Sequence, residues 1–196
     1  MPHKFNPAHM ARLESEERRR RQPPERLLAA IGVTAGSRLV DIGCGPGFYA
    51  LPAAEVVGAQ GHVFALDLQD AMLTRVRERA AAAGLHNMEA LQSEESRLPL
   101  PDAATDIALV ANVLHECADR VGFLREVRRV LVPGGRVAII EWRKEPMEMG
   151  PPLAERMAVS DVTAALTEAG FGAAVALDPA DTGMTHFGLV ADSVGA

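Results

Sequence analysis

Arg38-Leu39-Val40-Asp41-Ile42-Gly43-Cys44-Gly45-Pro46-Gly47-Phe48-Tyr49 is the stretch on which the fold of this chain turns. It opens as an apolar run and closes on three alternating glycines. That order predicts a buried strand, a tight turn and a helix start. Glycine accepts positive φ and lets a ligand approach the main chain closely. A new helix presents unpaired N–H groups at the same place. Together they predict a nucleotide-type binding site at the carboxyl end of a strand.

Downstream, Phe48–Val57 reads as a helix and His62–Asp67 as a second strand. Asp70 is the expected N-cap of a helix carrying Met72, Leu73, Val76 and Ala80 as far as Gly84. Residues 87–91 and 105–110 read as the third and fourth strands. Val121, Leu124, Val127, Val130 and Leu131 form one helical stripe that Pro133-Gly134-Gly135 should stop, with a fifth strand over 136–142. Ser160 or Asp161 should cap a helix ending at Gly170. Residues 173–177 and 186–191 read as two late strands with no helix between them. Upstream, Pro23-Pro24 starts a helix through Leu27, Leu28 and Ile31. The expected fold class is therefore α/β, a Rossmann-like doubly wound, mostly parallel seven-stranded sheet with a C-terminal antiparallel β-hairpin. Residues 1–196 are expected to form one domain, with 1–23 as an N-terminal cap or tail and 24–196 as the core.

Bulk properties narrow the function classes. A formal net charge of −6 disfavours general nucleic-acid binding. The basic cluster Arg18–Arg21 follows Glu14, Glu16 and Glu17 and reads as a solvated, salt-bridged helix face, with binding of an acidic substrate as the alternative. No apolar run approaches membrane-spanning length, and the N-terminus lacks an apolar signal core, so a cytoplasmic protein is expected. Cys44 and Cys117 stand far apart, outside any C-x-x-C, which predicts neither a disulfide scaffold nor a zinc site.

Asp41-Ile42-Gly43-Cys44-Gly45-Pro46-Gly47 resembles the first motif of class I S-adenosylmethionine-dependent methyltransferases. Arg129-Val130-Leu131-Val132-Pro133-Gly134-Gly135 resembles the R-x-L-x-P-G-G stretch of their small-molecule branch, which includes the ubiquinone/menaquinone type, and Glu94 to Pro101 resembles its acidic, then Leu-Pro segment. The rival is the dinucleotide pattern G-x-G-x-x-G. Gly43 and Gly45 fit it, but Phe48 stands where the third glycine lets helix and strand pack closely.

The resemblance implies S-adenosylmethionine as cofactor, S-adenosylhomocysteine as product and a small-molecule methyl acceptor. Asp67, 20 residues after Gly47, is the expected carboxylate for the ribose hydroxyls. Leu68 and Met72 are candidates to flank the adenine. Ser93 and Glu94 occupy its reading position, with Glu95 as the alternative to Glu94. Asp41, Gly43, Gly45 and Gly47 should face the methionine part, together with Asn112 after the fourth strand. Phe48 and Tyr49 are candidates to pack beside the sulfonium. His115 and Glu116 are the candidate catalytic pair for accepting a proton, with a loop-shaping His as the alternative. Arg143 and Lys144 are candidates for an anionic substrate group, and Trp142 for a pocket wall. The segments 3–10 and 147–152 are candidate lids. Methyl transfer is an in-line displacement, so a base is optional. A non-catalytic cofactor-binding module and a nicotinamide-dependent oxidoreductase are the alternatives. No metal site, no nucleic acid and no membrane are expected, and the protein is expected to be a monomer or homodimer.

Overall fold

The structure, a computed structural model, describes residues 13–194. The candidate lid over residues 3–10 lies outside the described residues. Ser15 caps α1 (Glu16–Arg21), its hydroxyl accepting the Arg18 N–H at 3.3 Å. Helix α2 (Pro24–Ala30) begins on proline, where a missing N–H costs nothing. Then follow β1 (Arg38–Ile42), α3 (Ala50–Val57), β2 (His62–Asp67), α4 (Asp70–Ala82), β3 (Met88–Gln92) and β4 (Thr105–Ala111). The chain continues through α5 (Arg120–Val130), β5 (Leu131–Trp142), α6 (Val159–Glu168), β6 (Val175–Ala176), α7 (Pro179–Thr182) and β7 (His186–Asp192).

The strands form one seven-stranded sheet in the order β3-β2-β1-β4-β5-β7-β6. The first five run parallel; β7 runs antiparallel to both β5 and β6. Strand order reverses between β1 and β4, and ligands bind open α/β sheets in the crevice at such a point.

Consecutive strand residues point to opposite faces, and the core divides accordingly. Val40, Val110 and Ile139 pack with Phe123, Leu124 and Val127 of α5 and with Val162 and Leu166 of α6. Leu39, Ala65, Leu109 and Ile140 pack with Leu28 of α2, Ala53 and Val57 of α3 and Leu73 of α4. Asp41 shares the parity of Leu39, so it faces the α3 layer from within an apolar strand.

Four local expectations are corrected, the first being the cap of α6: Ser160 and Asp161 lie inside that helix and Ala158 is its N-cap. Helix α5 ends at Val130, before Pro133-Gly134-Gly135, and β5 starts at Leu131. Leu131 is captured as a partner of Thr105, and the Thr105 hydroxyl donates to the Val130 carbonyl at 3.2 Å. Asp70 lies inside α4; Gln69 is its N-cap, with its N–H held by Asp67 Oδ1 at 2.9 Å. The first late strand shrinks to Val175–Ala176, and the loop after it contains α7, capped by Asp178 at the Ala180 N–H.

Candidate functional site

Register brings the site together. Ile42 lies opposite Leu66 on one side and Val110 on the other. Asp67, Gly43 and the Ala111–Asn112 step therefore share one level at the carboxyl edge of the sheet. The Gly43 and Cys44 N–H groups both bond the Leu66 carbonyl, at 2.8 and 2.9 Å, which folds the chain sharply off the end of β1. Gly43, Gly45 and Gly47 all have positive φ. At Gly43 a Cβ would stand 2.3 Å from Val113 Cγ2, so glycine is required by both conformation and space.

Asp67 is buried and accepts the Gly45 N–H at 3.0 Å and the Gln69 N–H at 2.9 Å. It thus clamps the glycine turn to the start of α4. A carboxylate has roughly four acceptor directions, so these bonds leave capacity for the donors of a ribose diol. Burial raises its pKa, against the pull of the Gln69, Gly45 and Leu68 N–H groups. Asp41 is 1% exposed and takes the Ala50 N–H at the head of α3. Its Oδ2 has no partner among the described residues. Burial pushes this carboxyl up to about 7, with the Arg18 charge pulling the other way. Asn112, at φ +60°, also has a buried side-chain oxygen without a partner. Orphaned acceptors on neighbouring strand ends suit a ligand that brings N–H donors or positive charge. The residues present therefore fit the amino-acid and ribose parts of S-adenosylmethionine.

The adenine side is more open. Leu68 is half-buried, and its carbonyl takes the Gln92 side-chain amide. Ser93 is buried and continues the edge through its N–H to the Asp67 carbonyl at 3.0 Å. Glu94 is exposed, pairs its main chain with Arg97, and lines a cleft of about 640 Å³ with Arg97, Pro99, Glu126 and Arg129. Glu95 accepts the Ala118 N–H at 2.8 Å, tying this loop to the one after β4.

Across the switch point the site is made of side chains. His115 lies in a 3₁₀ turn after β4, 7% exposed. Its Nδ1 meets Glu141 Oε2 at 2.8 Å, and Glu141 Oε1 accepts the His115 main-chain N–H at 3.1 Å. Glu141 is itself 1% exposed, so each group supplies the other's buried partner. The carboxylate selects the tautomer with the proton on Nδ1, leaving Nε2 as the basic atom. Burial pulls the His115 pKa down, but the bond to Glu141 and the charges of Glu141, Glu116 and Glu155 outweigh it, and the net shift is upward. Glu116 Oε1 is 4.0 Å from His115 Nε2. Cys117 is buried and pushed up to about 12, in keeping with an inert apolar filler.

Trp142 stacks on His186, ring centroids 4.1 Å apart. His186 is 2% exposed; Thr185 Oγ1 meets its Nδ1 at 2.9 Å, and its Nε2 has no partner among the described residues. Burial, with Arg18, Arg21, Arg156 and His115 around it, lowers its pKa to about 3 and keeps the ring neutral. The 147–152 segment lies on Trp142, where a Cβ at Gly150 would approach the indole to 2.8 Å. Arg156 pins that segment by donating to the carbonyls of Glu145, Met149 and Pro151. Arg143 donates to the His186 carbonyl, and Lys144 lies at the surface 4.0 Å from Asp161.

Sequence reasoning missed four residues. Glu141 had one available signal: an acid after the apolar Ala138-Ile139-Ile140 must find a partner once buried. His186 had none, because its ring partner Trp142 lies on another strand, and Arg156 had none, because its partners are main-chain carbonyls of an aperiodic loop. Arg18 was placed on a solvated face, but its guanidinium lies 3.9 Å over the Phe48 ring. Among the described residues no group of three or more His, Cys, Asp or Glu is disposed to hold a metal, and no helix is long and apolar enough to cross a membrane.

Residues 40–139 match the methyltransferase domain family. A demethylmenaquinone methyltransferase of Listeria monocytogenes is 37% identical over 109 residues, which is 56% of this chain and 46% of that protein. A ubiquinone/menaquinone biosynthesis C-methyltransferase of Vibrio parahaemolyticus is 33% identical over 118 residues, 60% of this chain and 46% of that protein. The chain thus aligns with about half the length of these curated relatives. A crystal structure of a SAM-dependent methyltransferase from Aquifex aeolicus superposes with a TM-score of 0.91 at 34% identity, covering 97% of this chain and 100% of that one.

Proposed function

The chain belongs to the methyltransferase domain family, and we propose that it uses S-adenosylmethionine to methylate a small-molecule acceptor by in-line displacement. The observation that carries this is the row of acceptors at the ends of β2, β1 and β4: Asp67, the orphaned Asp41 Oδ2 and the orphaned Asn112 Oδ1. When bound, the cofactor supplies a methyl carbon already activated by a positively charged sulfur.

The chain's own residues do the rest. Asp67 and the glycine turn fix the ribose end. Asp41 and Asn112 offer oxygens to the ammonium. Phe48 and Tyr49, edge to face at 4.8 Å, are buried and seat the Arg18 guanidinium beside the turn. His115 Nε2 takes the acceptor's proton, and Glu141 holds the ring so that this nitrogen is the free one. Trp142 and His186 wall the acceptor side. Alignment of this kind is worth up to about 7–11 kcal/mol of barrier.

The relatives' names support a small-molecule acceptor, and the net charge of −6 favours one over a nucleic acid. A cytoplasmic single-domain monomer or homodimer is part of the same reading. Calorimetry with S-adenosylmethionine and S-adenosylhomocysteine tests the cofactor half, with micromolar binding expected and loss in Asp67→Ala. Absence of binding to either removes the proposal. Release of S-adenosylhomocysteine across a panel of phenols, enols and amines tests the transfer half. Binding without turnover across that panel would instead mark a non-catalytic cofactor-binding module.

A further inference from the structure

We propose that Arg18 holds the α-carboxylate of the cofactor's methionine part, which makes α1 a wall of the cofactor site; the proposal rests on the S-adenosylmethionine reading. The run Arg18-Arg19-Arg20-Arg21 divides sharply. Arg19 pairs with Glu25, Arg20 with Glu16 at 3.0 Å and Arg21 with Glu17 at 3.6 Å. Arg18 alone turns inward, onto Phe48 and 5.9 Å from the Tyr49 ring centre. Its Nη1 donates to the Leu13 carbonyl at 3.2 Å. No described carboxylate lies within ion-pair distance of it.

The segment carrying Arg18 is fixed to the glycine turn. Glu14 pairs with Arg75 at 2.8 Å and Arg79 at 3.5 Å, both on α4. Arg79 in turn donates to the Pro46 carbonyl at 2.7 Å. Leu13 packs at the turn, 3.5 Å from where a Cβ on Gly45 would stand. At the far end of α1, Gln22 donates to the Thr182 carbonyl at 3.0 Å. The helix therefore lies across the carboxyl edge of the sheet, and its one inward cation is aimed at the methionine end.

Ligand chemistry supplies the missing half. An amino acid carries an ammonium and a carboxylate on one carbon. Asp41 Oδ2 and Asn112 Oδ1 suit the ammonium. A carboxylate beside two acceptor oxygens needs a fixed cation, and a guanidinium meets it with two parallel N–H donors. Arg75 and Arg79 are engaged by Glu14, and Arg143 and Arg156 by main-chain carbonyls. Arg18 also gives a bond to a main-chain carbonyl, that of Leu13, and interacts with Tyr49, but among these cations it is the one whose charge reaches Asp41. Burial lowers its pKa, against the pull of Tyr49 and Asp41, and a bound carboxylate would supply this guanidinium with a further opposite charge.

The test compares S-adenosylhomocysteine, which has the carboxylate, with 5′-methylthioadenosine, which lacks the amino-acid part, by calorimetry on the full chain. Arg18→Ala should weaken S-adenosylhomocysteine by about 10- to 150-fold, the range of a charge-assisted hydrogen bond, and methylthioadenosine by less than about twofold. Arg18→Lys should recover part of the loss. Thermal melting of both variants shows that they fold, and Arg18→Lys keeps the test valid if Arg18→Ala does not. Unchanged or tighter binding of S-adenosylhomocysteine overturns the proposal, as does a parallel loss for both ligands. Wild-type protein that binds neither ligand overturns the cofactor reading itself.

Discussion

At the ends of β1 and β2 the site is mostly main chain: three glycines at positive φ, a turn hung on one carbonyl, and a carboxylate gripping two N–H groups. At the ends of β4, β5 and β7 it is mostly side chain: His115 against Glu141, Trp142 against His186, and Arg156 threading three carbonyls. The first half rests on main-chain bonds between the ends of adjacent strands and tolerates almost no added atoms at Gly43 and Gly47. The second depends on side-chain contacts, two of them spanning 26 and 44 positions, and can be altered one chemical group at a time. The two halves should therefore fail differently, one in binding and the other in rate.

The largest separation is expected at His115. His115→Asn should lower kcat by about 10²- to 10⁴-fold, the usual worth of a positioned base. Calorimetry should find its affinity for S-adenosylhomocysteine within about twofold of wild type. Matching losses in both quantities would erase the division between the halves. Gly43→Ala tests the other side. A methyl at φ +71° facing Val113 carries a strain of about 1–3 kcal/mol, so cofactor affinity should fall about 10- to 100-fold. Retained affinity would show that the turn has slack.

A smaller effect should appear in the pH profile. His115 acts as a base only when neutral, and its pKa is raised. Glu141→Gln removes the raising charge, so the acidic limb of kcat should move to lower pH while the plateau drops. The same group bears on stability. With its folded pKa above the unfolded one, His115 stabilises the fold below the unfolded value, and that contribution disappears as pH rises through the folded value. A limb that stays in place in Glu141→Gln would mean that another group titrates. The smallest effect concerns Asp41, whose folded pKa of about 7 lies above its ordinary 3.8. Its contribution is greatest at low pH and declines as pH rises through about 7. Asp41→Asn should thus melt a few degrees above wild type at pH 8 and near it at pH 4, with weaker cofactor binding. A melting difference that does not change with pH would place the charge of Asp41 elsewhere.

What the sequence shows and hides follows the same division. The bounds of β1 and β2 are legible to the residue, because an apolar run ending in glycine or Asp is a local signal. Asp67 is legible by its distance from the turn, although its hold on Gly45 and Gln69 is not. The end of α5 is misread because Pro133-Gly134-Gly135 is a strong local stop, whereas the pairing of Leu131 with Thr105 is made by a distant strand. Arg18 is misread for a related reason. Four arginines after three glutamates look alike in composition, and only the seat of α1 on Phe48 decides which one turns inward.

The clamp between Glu14 and the two arginines of α4 bears on timing. Its pairs are partly exposed, so each is weak and is screened by salt. If α1 must lift for the cofactor to enter and leave, those pairs belong to the barrier for exchange. Raising ionic strength should then shorten the residence time of S-adenosylhomocysteine in stopped-flow displacement. Glu14→Gln should abolish most of that salt dependence, and an unchanged dependence would mean that ligands pass without disturbing the helix.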